Sequence, residues 1–509
     1  MNPSSFFNRH PLGRRLGRLE AYFLAMLLTS GLKTSVLAQF SGSLDATFDP
    51  NLGSVAVPWA NTVAYAAVSL TNGQCIIGGN FTTYDDSSVG RLARLNADGT
   101  LDTTFNSSGT GVDLGAYPDP SGVFPNATRL LPNGQIYIGG PFEGYNGVTR
   151  EGSARINADG TLDLSYDPGT GGGSPGGSGK RTLCLYPQPN GQVIVGGDFT
   201  TFQGAAHSKI ARLNSNGSLD ATFNANADST VRDVLVLPNG QIMMCGQFTT
   251  VNGTGINRLA RLNSDGTLDG TFNAGTGIAG TLAYVMTLQP DGKLLVGGLF
   301  NTYNNQPATN IFRINADGTR DTSFNTGGGV NNQVSSILVQ PDGKILIGGN
   351  FTSVDGFPLT GVARLNADGS VDKTFDSGKG AAFGSVYHFA LQQGNTNLFG
   401  GVTNKVVIVG EFSTYNLETQ NHVARVIAGD NIALALVTAP PSSPTLTLTR
   451  AGNSVVISWP VSAVGFTLQQ EGALDNSWSN VGTPVVVVGS LNTVTVPIGA
   501  GPVFFRLKY

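Results

Sequence analysis

The chain is short of the residues that most often carry chemistry. Its 509 residues include three cysteines, four histidines and three tryptophans. Cys75, Cys184 and Cys245 are odd in number and fall in different stretches, which excludes a disulfide framework and leaves buried free thiols as the expectation. No Cys/His spacing suits a structural metal. Charged residues make up only 12%, which fits a β-rich protein whose surface is Ser, Thr and Asn. Net charge is −4, and residues 1–38 hold five cations (Arg9, Arg14, Arg15, Arg18, Lys33) against Glu20. The remainder is more acidic still, which argues against a nucleic-acid partner. There is no 3.6-residue apolar periodicity over most of the chain. No nucleophile elbow, phosphate loop or HExxH motif occurs.

Glycine is abundant instead, at 70 residues, and it is periodic, so it marks turns rather than disorder. One phrase organises the chain: RLNADGTLDTTFN from Arg94, with near-copies starting at Arg155, Arg212, Arg261, Arg313 and Arg364. A second phrase, such as LPNGQIYIGGPF or PDGKILIGGNF, precedes each copy. Short apolar runs broken by Asn-Gly or Asp-Gly are strong hairpin signals, so each unit reads as two hairpins, or four short strands. Four strands per unit, repeated, is the pattern of a β-propeller blade.

Turn chemistry sets the register of the second hairpin. Asn96-Ala97-Asp98-Gly99 suits a type I turn with glycine at positive φ. Leu95 then faces Leu101, and Arg94 faces Asp102. The same eight-residue spacing gives Arg155/Asp163, Arg212/Asp220, Arg261/Asp269, Arg313/Asp321 and Arg364/Asp372. These are expected to be cross-strand ion pairs worth about 0.2–1 kcal/mol each. The N-x-D-G-x-x-D pattern lacks the oxygen spacing of a calcium loop, so no metal and no cofactor are expected.

The two halves of the repeat are out of step. An unpaired Arg half ends the series at Arg425, and an unpaired Asp half, SLDATF with Asp45, begins it. If Leu44–Phe48 completes the last unit, Asp45 meets Arg425, two sheet edges disappear, and the ring has seven blades.

The phrases PDGKILIGGNF and RLNADGTLDTTF resemble the delta-60 repeat of bacterial secreted and surface proteins, over roughly residues 41 to 430. That resemblance implies a propeller fold and an extracytoplasmic setting, and it implies no catalytic residues.

The expected organisation follows. Residues 1–38 read as a secretory signal, with a basic stretch ending at Arg18, the apolar run AYFLAMLL, and small residues before Ala38. The run is shorter than the ~20 residues of a membrane span, so none is expected after cleavage. Residues 39–433 form the propeller, 434–444 a Pro-rich linker, and 445–509 a small β-sandwich loosely like fibronectin type III. A monomer is expected.

Recurring phenylalanines, such as Phe81 and Phe105, read as packing between blades. Paired glycines such as Gly348-Gly349 read as sites of a bulge or close backbone approach. The loops after each second strand differ from unit to unit, and variable loops on a rigid scaffold are where binding usually sits. Asp85, Asp86, Arg150, His207, Asp355, Glu418 and His422 are the candidate binding residues, with a protein or glycan as partner. The expected function is non-enzymatic binding or scaffolding through that face or the channel mouth beneath it. The alternatives are an envelope hydrolase or lactonase-like enzyme, with those acids and histidines gathered at the mouth, and a purely structural surface protein.

Overall fold

The computed structural model describes residues 41–45, 47–48, 54–55, 63–113, 127–173, 181–393, 404–429, 446–461, 467–471, 479–497 and 503–508. The expected signal, the linker, and residues 114–126, 174–180 and 394–403 lie outside these residues. All regular structure among the described residues is β, and no helix there is long and apolar enough to cross a membrane. They fall into two compact units, one within Gln39–Ala433 and the other within Leu434–Tyr509.

The larger unit repeats one antiparallel sheet. Its first copy orders Ala64–Ser69, Cys75–Gly79 and Leu92–Leu95 side by side, and its last orders Val386–Gln392, Lys405–Gly410 and Val423–Ile427. Seven such triples occur among the described residues. The fourth strand expected from the pattern is reduced to a single bridge, Leu95 to Leu101 and its equivalents. The aspartate that follows explains why. Asp102 Oδ1 accepts both the backbone N–H and the hydroxyl of Thr104, and this side-chain turn ends the pairing.

Beyond the second strand lies a feature hidden by its varied sequence. Thr83–Tyr84 pairs with Ser87–Ser88, leaving Asp85 and Asp86 as a two-residue loop with φ of 50° and 57°. Both central residues at positive φ define a type I′ turn. The same small hairpin recurs with Asn146-Gly147, Gln203-Gly204, Asn252-Gly253, Asn304-Asn305, Asp355-Gly356 and Asn416-Leu417 at its tip. The loops that read as variable therefore share one backbone.

Apolar clusters fill the space between consecutive sheets. Ile76 and Leu92 of the first pack with Ile136, Phe142 and Tyr145 of the second. The last sheet shares a cluster with the first: Val407, Val409 and Val423 pack against Ala64, Cys75, Phe81 and Phe48. Phe81, Phe142, Phe199, Phe248, Phe300, Phe351 and Phe412 are all buried there. Each contributes about 2–3 kcal/mol on transfer from water.

A second set of links crosses between sheets. Arg94 Nε donates to Asp102 Oδ2 at 2.8 Å, and its Nη1 donates to the Ala158 carbonyl in the next turn. Arg155 does the same toward Ser215, Arg212 toward Ser264, Arg261 toward Ala316, and Arg313 toward Ala367. Arg364 reaches Ala428 at 2.7 Å, and Arg425 reaches back to Ala97 at 2.6 Å. Each guanidinium also lies over the aromatic ring that follows its aspartate, as Arg94 does over Phe105 at 4.9 Å.

The residue after each Asn-Gly or Asp-Gly turn completes the arrangement. Gln74 Nε2 donates to Asp102 Oδ2, and Gln135, Gln192 and Gln241 do likewise to Asp163, Asp220 and Asp269. In the next two units a lysine takes this place, with Lys293 and Lys344 on Asp321 and Asp372, and Lys405, which follows Asn404, does the same for Asp45.

Residues 41–45 run beside the last sheet. Gly42 N–H donates to Ile427, Ile427 N–H to Ser43, and Asp45 N–H to the Arg425 carbonyl. Leu44 bridges Val426, and the Tyr415 hydroxyl donates to Gly42 as Tyr84 does to Gly99.

In the smaller unit, one sheet orders Thr447–Ala451, Ser454–Pro460, Leu491–Pro497 and Val486–Val488. Another orders Ser479–Asn480, Thr467–Glu471 and Phe504–Lys508. Ile457, Trp459 and Val494 of the first share a small core with Leu468 of the second.

Candidate functional site

The paired glycines set the site. Gly79 pairs with Ala64 and Gly78 with Ala66, so Tyr65 is an extra residue on the first strand, a β-bulge. A Cβ at Gly79 would overlap the Val63 carbonyl oxygen. Glycine is therefore the residue that lets the first strand bulge against the second. Gly246, Gly298, Gly349 and Gly410 stand in the same relation to Thr230, Leu282, Gln333 and Ser385. Bulges recur at Leu183, Arg232, Tyr284, Ser335 and Tyr387. The second unit has none; there Thr128 pairs with Ile138 and Arg129 with Tyr137.

All six bulge residues and Arg129 line one cavity of about 270 Å³, walled by the first strands. The bulges lie where the connectors enter, at the end of each first strand away from its Asn-Gly or Asp-Gly turn, since Ala64 faces Gly79 while Ser69 faces Cys75. A bulge re-aims a side chain, and here each unit but one aims one at the cavity.

The lining is polar and unevenly paired. Tyr65 and Tyr387 stack with centroids 5.1 Å apart, and Tyr387 donates its hydroxyl to Glu411 Oε2 at 3.1 Å. Burial, with the Glu411 charge nearby, pushes the Tyr65 phenol up to about 12. The Arg232 guanidinium lies 5.6 Å from the centre of the Tyr284 ring, and its buried Nε has no hydrogen-bond partner. Asp233 follows it and accepts the Met286 N–H at 2.8 Å. Burial pushes the Asp233 carboxyl up to about 6, with Arg129 opposing. Burial, with the Arg129 charge adding to it, brings His388 down to about 4, and its Nδ1 is also buried without a partner. The Cys184 and Cys245 thiols are raised well above their usual value by burial, then by Asp233, and are inert at neutral pH.

The residues expected to bind lie elsewhere, and the structure does not gather them. Asp85, Asp86 and Asp355 form tips of the type I′ hairpins, and the Asp355 carboxylate accepts the Gly328 N–H. Glu418 is exposed in one of those hairpins, opposite Tyr415. His422 has φ of 68°, and its backbone N–H donates to Phe412. Lys209, Arg258, Asn310 and Gly361 do the same with Phe199, Phe248, Phe300 and Phe351, so that position serves the backbone. Its ring Nδ1 sits 3.2 Å from the Gly410 carbonyl, and burial lowers its pKa. His207 is half-buried, with burial lowering its pKa. Arg150 is buried, 3.6 Å from Asp167. Among the described residues no three His, Cys, Asp or Glu side chains are grouped to hold a metal.

The cavity residues were visible in sequence only as polar interruptions of first strands. Arg232-Asp233 within VRDVLV and Tyr387-His388 within VYHFALQ are such interruptions, opposite a Gly-rich second strand.

No curated protein matches the chain in sequence. Among solved structures, a gluconolactonase from Xanthomonas campestris is similar at 13% identity and a TM-score of 0.27, covering 60% of this chain and 87% of its own. The polysaccharide lyase Uly1 is similar at 12% identity and a TM-score of 0.26, covering 74% and 90%. Drosophila Semaphorin 2a is similar at 7% identity and a TM-score of 0.29, covering 93% and 97%. Likenesses this distant carry nothing about activity. The family described as "Domain of unknown function (DUF5122) beta-propeller" matches at residues 70–105, 131–166, 188–223, 237–272, 289–324 and 340–375. Those segments run from each Asn-Gly or Asp-Gly turn to the aromatic after the aspartate, and the chain belongs to this delta-60 type family of propeller repeats.

Proposed function

We propose that the chain is an extracytoplasmic, non-enzymatic binding protein: a monomeric seven-bladed β-propeller with a small C-terminal β-sandwich, taking a glycan or protein at the channel end ringed by bulge residues. Seven blades are supported by the cyclic order of inter-sheet clusters and by the return of Arg425 to Ala97. The single observation that carries the binding reading is the ring itself. Six first strands depart from regular pairing at the same place, and all six extra residues line one cavity. The differing hairpin tips, Asp85-Asp86 and Asn416-Leu417 among them, are candidate rim contacts. An extracytoplasmic setting is supported by the basic and apolar N-terminal stretch.

A glycan array probed with the full chain tests this reading, with pulldown from a bacterial envelope extract alongside. Saturable binding weakened by Tyr387→Ala is expected. Binding of nothing in either assay would overturn the binding reading.

One observation favours an enzyme: Asp233, held near pH 6, shares the cavity with His388. A carboxylate poised there is suited to general-base work on an ester or lactone. Hydrolysis of such substrates, abolished by Asp233→Asn, is the result that would establish it.

A further inference from the structure

We propose that the cavity takes the terminal uronic-acid residue of an acidic glycan, an inference that rests on the binding reading above and names its ligand class. Two cations line the cavity, Arg129 and Arg232, and among the described residues neither is in an ion pair. Arg232 makes no hydrogen bond among them, and its buried Nε is an unspent donor. Polar groups in native proteins nearly always find partners, so a guanidinium that lines a cavity with no ion pair or hydrogen bond among the described residues points to a missing acceptor. A carboxylate meets a guanidinium through two parallel hydrogen bonds, the strongest neutral-pH match for that group.

The rest of the lining narrows the class. Asp233 faces the same space, so a dianion such as inorganic phosphate at pH 7.5 is repelled there more strongly than a monoanion. Asp233 is instead an acceptor for hydroxyl groups. The ligand must therefore carry one carboxylate and several O–H donors. Aromatic faces suit the apolar C–H face of a sugar ring, and Tyr65, Tyr284 and Tyr387 all line the cavity. The volume, about 270 Å³, falls at the low end of small-molecule sites, enough for a single ring and not for an oligomer. Because the first strands wall the cavity, entry is along the channel, which suits a chain end.

Calorimetric titration of the full chain at pH 7.5 with D-galacturonate, D-galactose and inorganic phosphate tests this. Galacturonate is expected to bind at least about ten-fold tighter than galactose, and phosphate not to bind. Arg232→Gln is expected to remove most of that preference, with the melting temperature reporting whether the variant folds. The comparison of the three ligands on the unaltered protein stands even where the variant folds poorly. Equal binding of galactose and galacturonate, or binding of phosphate alone, overturns the assignment. If galacturonate fails while the glycan array returns a neutral glycan, the acid assignment falls and the binding reading stands. Silence in both experiments removes both.

Discussion

Arg425 and Asp45, 380 residues apart in the chain, form a buried ion pair, with Nε 2.6 Å from Oδ2. The other six Arg–Asp pairs span eight residues, yet the geometry is the same, with Thr47 and Lys405 in the places of Thr104 and Gln74. The start of the described chain thus supplies what the last sheet lacks. Removing residues 41–48 would bare the edge of Val423–Ile427 and strand the Arg425 and Lys405 charges. A chain starting at residue 49 is expected to associate through that edge. Size-exclusion chromatography with light scattering is then expected to show dimers and larger species, and a monomer for the full chain.

Acid should unfold the larger unit over a defined range. Burial by itself would raise the Asp102 carboxyl, but hydrogen bonds from Thr104 and the Arg94 guanidinium outweigh it and bring it down to about 2. Asp163, Asp220, Asp269 and Asp372 are held at about 2 by the same balance. A carboxyl whose pKa is lower folded than unfolded adds stability above its unfolded value, near 3.9, and loses it as pH falls toward the folded value. Melting temperature is expected to fall steeply between pH 4 and 2, with these aspartates acting together. A chain that melts alike at pH 4 and pH 2 would refute this balance.

Asp233 has the opposite sign. Its pKa is raised, so its contribution to stability is complete below about 3.9 and is lost as pH rises through about 6. Asp233→Asn keeps an acceptor for the Met286 N–H and removes the charge. The variant is expected to be more stable than the natural protein at pH 8, by on the order of 2 kcal/mol, and equally stable near pH 4. Denaturant melts at the two pH values measure the difference.

Glycine pairs are tested by one methyl group. A Cβ at Gly410 would overlap the Ser385 carbonyl beside the Tyr387 bulge, whereas nothing lies within 4 Å of a Cβ at Gly270. Gly410→Ala is expected to cost about 3 kcal/mol and to disturb the Tyr65–Tyr387 stack, while Gly270→Ala stays within about 0.5 kcal/mol. Urea unfolding gives the energies, and tyrosine near-ultraviolet dichroism reports the stack.

Much of this architecture is legible in the sequence because short-range turn chemistry writes it. Asn96-Ala97-Asp98-Gly99 dictates that Leu95 faces Leu101, and Gly99 does have φ of 90°. The out-of-step halves bring Leu44 to Val426 by simple counting. The site was less legible, for two physical reasons. The type I′ tips tolerate Asp-Asp, Asn-Asn and Asn-Leu as well as Asn-Gly, so a uniform backbone looks like varied, functional loop. A bulge also shifts one residue out of the alternation that strand patterns are read by, so Tyr65, Arg232 and Tyr387 read as ordinary strand positions. Burial of the ion pairs is likewise not written in the turn chemistry. Arg364 is fully buried, so breaking its link to Asp372 is expected to cost about 3–5 kcal/mol, unlike an exposed cross-strand pair.

The central relationship is the joining of the chain's two distant segments, and a double-mutant cycle on Asp45→Asn and Arg425→Gln measures it directly. A coupling energy of about 1.5 kcal/mol or more between these positions is the expected result, matching that of Asp372→Asn with Arg364→Gln. Additive effects, with no coupling at all between Asp45 and Arg425, would contradict it.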